Sequence, residues 1–250
     1  LTGINQKIVD LQVLYVEVDS FIYYNSSQVA NVNDLKSKII TSLTSYAKSS
    51  DLNRFGGRFK YSKVLNVIDN IDKSITSNIT RVKIRRNLNA LINQFAQYEL
   101  CFGNRFNVKP EGLNIKSTGF RIQGQSDTVF ITDTPNADKL TGVISIVKRD
   151  ETTGTNIVVV KSAGTVDYVH GEVNLTTINI VSTDKPNNIV EVQAFPDSND
   201  VIGLQDLYLE FNIPNSTINM VKDTITSGEQ ISGVGYKVTS SYANGDLTRT

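Results

Sequence analysis

Acid–base chemistry near neutral pH draws most often on histidine, and the 250-residue chain has one, His170, within Asp167-Tyr168-Val169-His170-Gly171-Glu172. Asp167 or Glu172 would orient it as a base, but a lone histidine before a glycine fits a strand end or turn better. A zinc site needs several His or Cys ligands. One His and one Cys, Cys101, do not supply them. Cys101 cannot form an internal disulfide, and its Tyr-Glu-Leu-Cys-Phe setting reads as a small apolar strand residue, in keeping with a reducing compartment. No G-x-S-x-G elbow, G-x-x-x-x-G-K-[ST] loop or G-x-G-x-x-G fingerprint occurs, and Gly233-Val234-Gly235 has no following helix to aim amides at a phosphate. Carboxylates remain: Glu172, Glu191 and Glu210 could converge as a glycosidase pair, against the alternative of scattered, solvated side chains. The sequence thus assigns no catalytic residue, cofactor, metal or small-molecule substrate.

A second cluster is basic. Arg81, Lys83 and Arg85 place three positive charges on one strand face, with Arg86 beside them, and could meet phosphate, an acidic protein patch or solvent alone. Lys plus Arg and Asp plus Glu number 25 each, so no net field draws the chain to nucleic acid or an anionic membrane, and protein partners are expected. Apolar runs such as residues 157–160 are far too short to span a bilayer. The N-x-[ST] matches at Asn25, Asn78, Asn174 and Asn215 are what frequent Asn, Ser and Thr give by chance, and matter only in a eukaryotic secretory setting. The chain begins at Leu1 without an initiator Met or a signal-peptide pattern, which points to a piece of a longer protein.

Elements must position these groups. Over residues 11–19, Leu14, Val16 and Val18 alternate with Tyr15, Glu17 and Asp19, the period of a half-buried strand. Asn33 is the expected N-cap of a helix carrying Leu35, Ile39, Leu43 and Tyr46. Gly56-Gly57 interrupts the chain, residues 58–61 read as a short strand, and Ser62 as the cap of a helix with Val64, Leu65, Ile68 and Ile71 on one face. Thr80, Val82 and Ile84 then alternate with the basic residues, residues 88–95 fit helix or strand, and residues 98–106 read as extended. The expected first core is Val16, Val18, Leu35, Ile39, Leu43, Val64, Leu65 and Ile68.

Pro110 and Gly112 mark a change of character. Short strand candidates follow at residues 120–123, 128–132, 142–148, 156–161, 165–169, 172–182, 189–195 and 207–213. The expected fold class is α+β: a sheet-and-helix domain over residues 1–107, a β-rich, sandwich-like or distorted-barrel domain over 108–213, and an extended C-terminal arm over 214–250. The arm's Ile225, Ile231, Val234, Tyr236, Val238 and Tyr242 stand apart among Ser, Thr and Gly. Burying them calls for a surface from elsewhere, so they join Arg81, Lys83 and Arg85 as candidate subunit-contact residues.

Gly57-Arg58-Phe59-Lys60-Tyr61-Ser62-Lys63-Val64 followed by Val67-Ile68-Asp69-Asn70-Ile71, after a strand and an amphipathic helix, resembles the baseplate J-like family of contractile tails. Residues 98–104, residues 164–168 with Gly171-Glu172-Val173, and residues 240–247 resemble more narrowly the large wedge subunits of T-even-type phages. The resemblance runs from about residue 13 to 249. It implies a structural, non-enzymatic virion protein of the tail baseplate, assembled in the host cytoplasm. Such a protein is a homodimer that contacts neighbouring baseplate wedge proteins and links wedges into the ring around the tail hub. It implies no catalytic or metal residue. A carbohydrate-binding or glycan-degrading β-domain of a phage tail is the alternative.

Overall fold

The structure, a computed structural model, describes residues 12–50 and 52–225 and the backbone of residues 242–243 and 246–247. Strand accounts for 48% and helix for 13%, so sheet pairing decides the architecture. β1 (Val13–Tyr24) extends past the expected end at residue 19, because Phe21, Ile22, Tyr23 and Tyr24 continue the alternation. α1 (Val32–Ala47) is capped by Asn31, not Asn33: the Asn31 side chain accepts from the Asn33 N–H, satisfying an otherwise orphaned amide. After the short strands β2 (Arg54–Phe55) and β3 (Arg58–Phe59) comes α2 (Tyr61–Asp69). Ser62 does not cap α2. Asp200, 139 residues away, accepts from the Tyr61 N–H at 2.9 Å and from Lys60 Nζ at 2.8 Å, and these bonds, led by that with Lys60, lower its pKa.

β4 (Ile75–Asn89) absorbs Leu88, so the ambiguous stretch is strand, then turn, and β5 (Phe95–Cys101) follows. Next come β6 (Lys116–Ser117), β7 (Phe120–Ile122), β8 (Val129–Pro135), β9 (Thr141–Arg149), β10 (Asn156–Asp167) and β11 (Glu172–Thr183). β10 merges two expected strands into one. β12 (Ile189–Ala194), β13 (Val201–Ile202), β14 (Tyr208–Phe211), β15 (Thr217–Lys222), β16 (Tyr242–Ala243) and β17 (Asp246–Leu247) complete the order.

Two main sheets result. The first has the order β2-β14-β1-β4-β12-β6, with β15 also on β1. β14 and β15 run parallel to β1, and β4 runs antiparallel to it. In the second, β10-β9-β8-β7-β11 closes through a β10–β11 pairing into a five-stranded barrel, and β5 adds to β11. The sandwich-like expectation therefore gives way to a barrel; full closure removes sheet edges that an open sandwich would leave. Sheet pairing also runs across the expected limits at 107 and 213, since β12, β14 and β15 all join the first sheet.

The helices cover one face of that sheet. Leu14, Val16, Val18 and Ile22 of β1 are fully buried there, together with Leu35, Ile39, Leu43, Val64 and Ile68 of the helices; Leu65, expected among them, is half-buried. Buried side chains of both sheets form one continuous cluster. Asp133 pins the barrel to its flanking loop, accepting from Asn114 Nδ2 at 2.9 Å, the Ile115 N–H at 2.7 Å and Tyr168 OH at 2.5 Å. Burial, with that carboxylate, pushes the Tyr168 phenol upward in pKa.

Candidate subunit-contact surface

The other face of the first sheet carries charge. On β1 the outward residues are Tyr15, Glu17, Asp19 and Phe21, directly opposite Arg85, Lys83, Arg81 and Ile79 of β4. This follows from the period-two alternation that buries their neighbours. The ion pairs form diagonally: Arg85 Nε lies 2.6 Å from Glu17 Oε1, and Lys83 Nζ 2.9 Å from Asp19 Oδ1. The diagonal leaves Arg81 exposed at the end of the ladder, with no ion-pair partner among the described residues.

Arg85 is not a surface group. Its side chain is 6% exposed and that of Glu17 5%. Its guanidinium donates to Asn87 Oδ1 at 2.5 Å, lies 3.4 Å from Glu191 Oε1, and stacks 4.0 Å from the Tyr15 ring centroid. Glu191 also meets Lys185 at 3.3 Å. Burial raises the pKa of Tyr15, with Glu210 adding to it, and burial likewise raises that of Glu210. An open groove of about 300 Å³ runs beside these groups, bounded by Lys116, Gln193 and Asn215. Beyond the ladder, Phe21 and Ile79 are an opposed apolar pair, 46% and 61% exposed. Sequence reading missed this pair, although continuing the alternation of β1 by two residues finds it.

Arg86 points to the opposite side of β4. It is buried, donates to the Cys101 carbonyl at 2.5 Å and to Gln12 Oε1 at 2.9 Å, and burial lowers its pKa. Burial raises the Cys101 thiol pKa, so this sulfur is a poor nucleophile.

His170 lies at the β10–β11 turn, with Nδ1 2.8 Å from Asp167 Oδ2. Asp167 Oδ1 also accepts the Val169 and His170 N–H groups, so the carboxylate ties the turn together. Glu172 begins β11 in the barrel, whereas Glu191 and Glu210 sit in the first sheet. Glu191 is held by Arg85 and Lys185, and Glu172 lies in the other main sheet from it. Among the described residues no group of three His, Cys, Asp or Glu could hold a metal, and no helix is long and apolar enough to cross a membrane.

Of the arm candidates, Ile225 is 74% exposed. Ile231, Val234, Tyr236 and Val238 lie outside the described residues, and Tyr242 begins β16, which pairs antiparallel with β17. The expected arm thus includes β15, a member of the first sheet.

A search of curated proteins finds no match. Residues 12–87, from the start of β1 through most of β4 and including the acid–base ladder, match the family described as baseplate structural protein gp6, C-terminal domain III. This supports a phage baseplate wedge family, though not the J-like assignment. Over these residues the chain is similar to a structural domain of the phage baseplate.

Proposed function

We propose that the chain is a non-catalytic scaffold subunit of a contractile-tail baseplate wedge, pairing as a homodimer and linking neighbouring wedges into the ring around the tail hub. The match of residues 12–87 to a baseplate structural domain carries this reading. The charged sheet face supports it: Arg81, Lys83 and the apolar Phe21–Ile79 pair lie together on a face that the chain's own helices leave uncovered. Mixed charge around an apolar pair is the composition of a protein interface rim and centre. Arg85 acts from within, holding Glu17 and Glu191 in place. Ile225, Ile231, Val234, Tyr236, Val238 and Tyr242 are, on this reading, further contacts to the second copy, closed pairing being the commonest association of identical chains.

Sedimentation velocity at micromolar concentration, alone and with the neighbouring wedge proteins, tests the proposal. A dimer that enters a larger complex is expected. A monomer that binds none of them refutes it.

A further inference from the structure

The outward face of the first sheet is built in rows. Asp19 of β1 stands directly opposite Arg81 of β4, Phe21 opposite Ile79, and Tyr23 opposite Ser77. Residues opposed in this way point to the same side of the sheet, while Val18, Ser20 and Ile22 between them are fully buried on the helix side. Charge divides by strand: where β1 carries an acid, β4 carries a base, Glu17 facing Lys83 and Asp19 facing Arg81. Glu17 is buried against Arg85, and Lys83 reaches diagonally to Asp19. This leaves the row of Asp19 and Arg81 at the edge of an exposed apolar pair, Phe21 and Ile79.

We propose that this face packs against the same face of a second copy, across a two-fold axis that runs along the strands between β1 and β4. Such an axis lays β1 of one copy over β4 of the other at the same level. Each row then meets its own complement: Asp19 over Arg81 of the second copy, Phe21 over Ile79 of the second copy, and the reverse of each, as a two-fold contact requires. The arrangement is an aligned stacking of two sheets with an apolar centre beside charged groups. Asp19 takes the incoming guanidinium without releasing Lys83, since a carboxylate accepts at both oxygens. The charges select this axis and this partner. A two-fold axis across the strands, through Phe21, would set Asp19 over Tyr23 and Arg81 over Ser77, covering both charges without giving either an opposite one. A neighbouring protein of another kind would need a base over β1 and an acid over β4, the pattern that a second copy already carries. The inference rests on the proposed self-association and gives that contact its surface and register.

The test is sedimentation of the 250-residue chain as Arg81→Glu, as Asp19→Lys and as an equimolar mixture of the two. Either variant alone sets like charges over each other in both halves of the contact, so its association should weaken about tenfold or more. In the mixed pair, Asp19 of the first variant meets Arg81 of the second, and the two substituted positions, again opposite in sign, meet each other. Association should therefore return to the parent's level. Ile79→Ser, at an exposed position, removes apolar contact without changing charge and should also weaken association; it carries the test should circular dichroism show that a charge reversal disturbs the fold. Weakened variants whose mixture does not recover would overturn the register. If all three variants associate as the parent does, or lose only a neighbouring wedge protein, this inference fails while the proposed self-association stands. A monomeric parent chain instead refutes the self-association itself.

Discussion

Removing Glu17 tests whether the charged face is an internal scaffold before it is an interface. Glu17 and Arg85 are 5% and 6% exposed at the side chain, with Oε1 and Nε 2.6 Å apart. Opposite charges about 4 Å apart attract by roughly 4 kcal/mol at the effective dielectric that suits such sites. Breaking a buried pair from one side costs about 3–5 kcal/mol, because the remaining charge stays buried. Arg85 keeps Asn87, the Tyr15 ring and the half-buried Glu191 at 3.4 Å, so Glu17→Ala should fall near the lower bound, about 3 kcal/mol. For a chain of this size that lowers Tm by roughly 6–12 °C. Replacing both members, Glu17→Leu with Arg85→Leu, removes the stranded charge and should cost no more than about 1 kcal/mol. Urea unfolding of the parent chain, Glu17→Leu, Arg85→Leu and the double variant, which close one double-mutant cycle, gives the coupling. Arg81→Ala, at the exposed end of the same ladder, should stay within about 0.5 kcal/mol and alter association instead. A Tm loss under about 2 °C for Glu17→Ala, or a double variant as unstable as the single, would refute the buried-pair account.

Three further outcomes are expected. Ile68→Asp puts an unpaired charge at a fully buried helix position and should abolish the cooperative thermal transition of the first sheet; a folded, fully helical variant by circular dichroism contradicts the helix-face assignment. Gly171 has φ of +69°, and an added Cβ would meet the Asn104 carbonyl oxygen at 2.1 Å, so Gly171→Ala should cost more than about 2 kcal/mol in urea unfolding. The hydrogen bond to Asp167, then its charge, raises the His170 pKa above its ordinary 6.5. A raised folded-state pKa means that its small stabilisation is full below about pH 6.5 and is lost as pH rises through the higher value. An NMR titration should place the midpoint above 6.5 and return it there in Asp167→Asn.

The sequence by itself determined what repeats at short range. Alternation in β1 and β4 and the helical spacing of Leu35, Ile39, Leu43, Val64 and Ile68 set strand, helix and buried face, because each depends only on the local backbone period. It also separated Arg81, Lys83 and Arg85 from Arg86, since adjacent strand residues point to opposite faces. Tertiary structure decided the rest. Val18 N–H donates to Ser216 Oγ across 198 positions, and no local signal tells β14 and β15 to lie beside β1 or the barrel strands to close on each other. The cap of α2 came from Asp200 because a backbone N–H takes whichever acceptor the fold brings within reach. The roles of the three basic residues parted for the same reason: Arg85 lies where Glu17, Glu191 and Tyr15 surround it, whereas Arg81 lies at the open end of the ladder. Alternation fixes the side toward which a charge points, but its burial depends on neighbours contributed by strands far away in the chain.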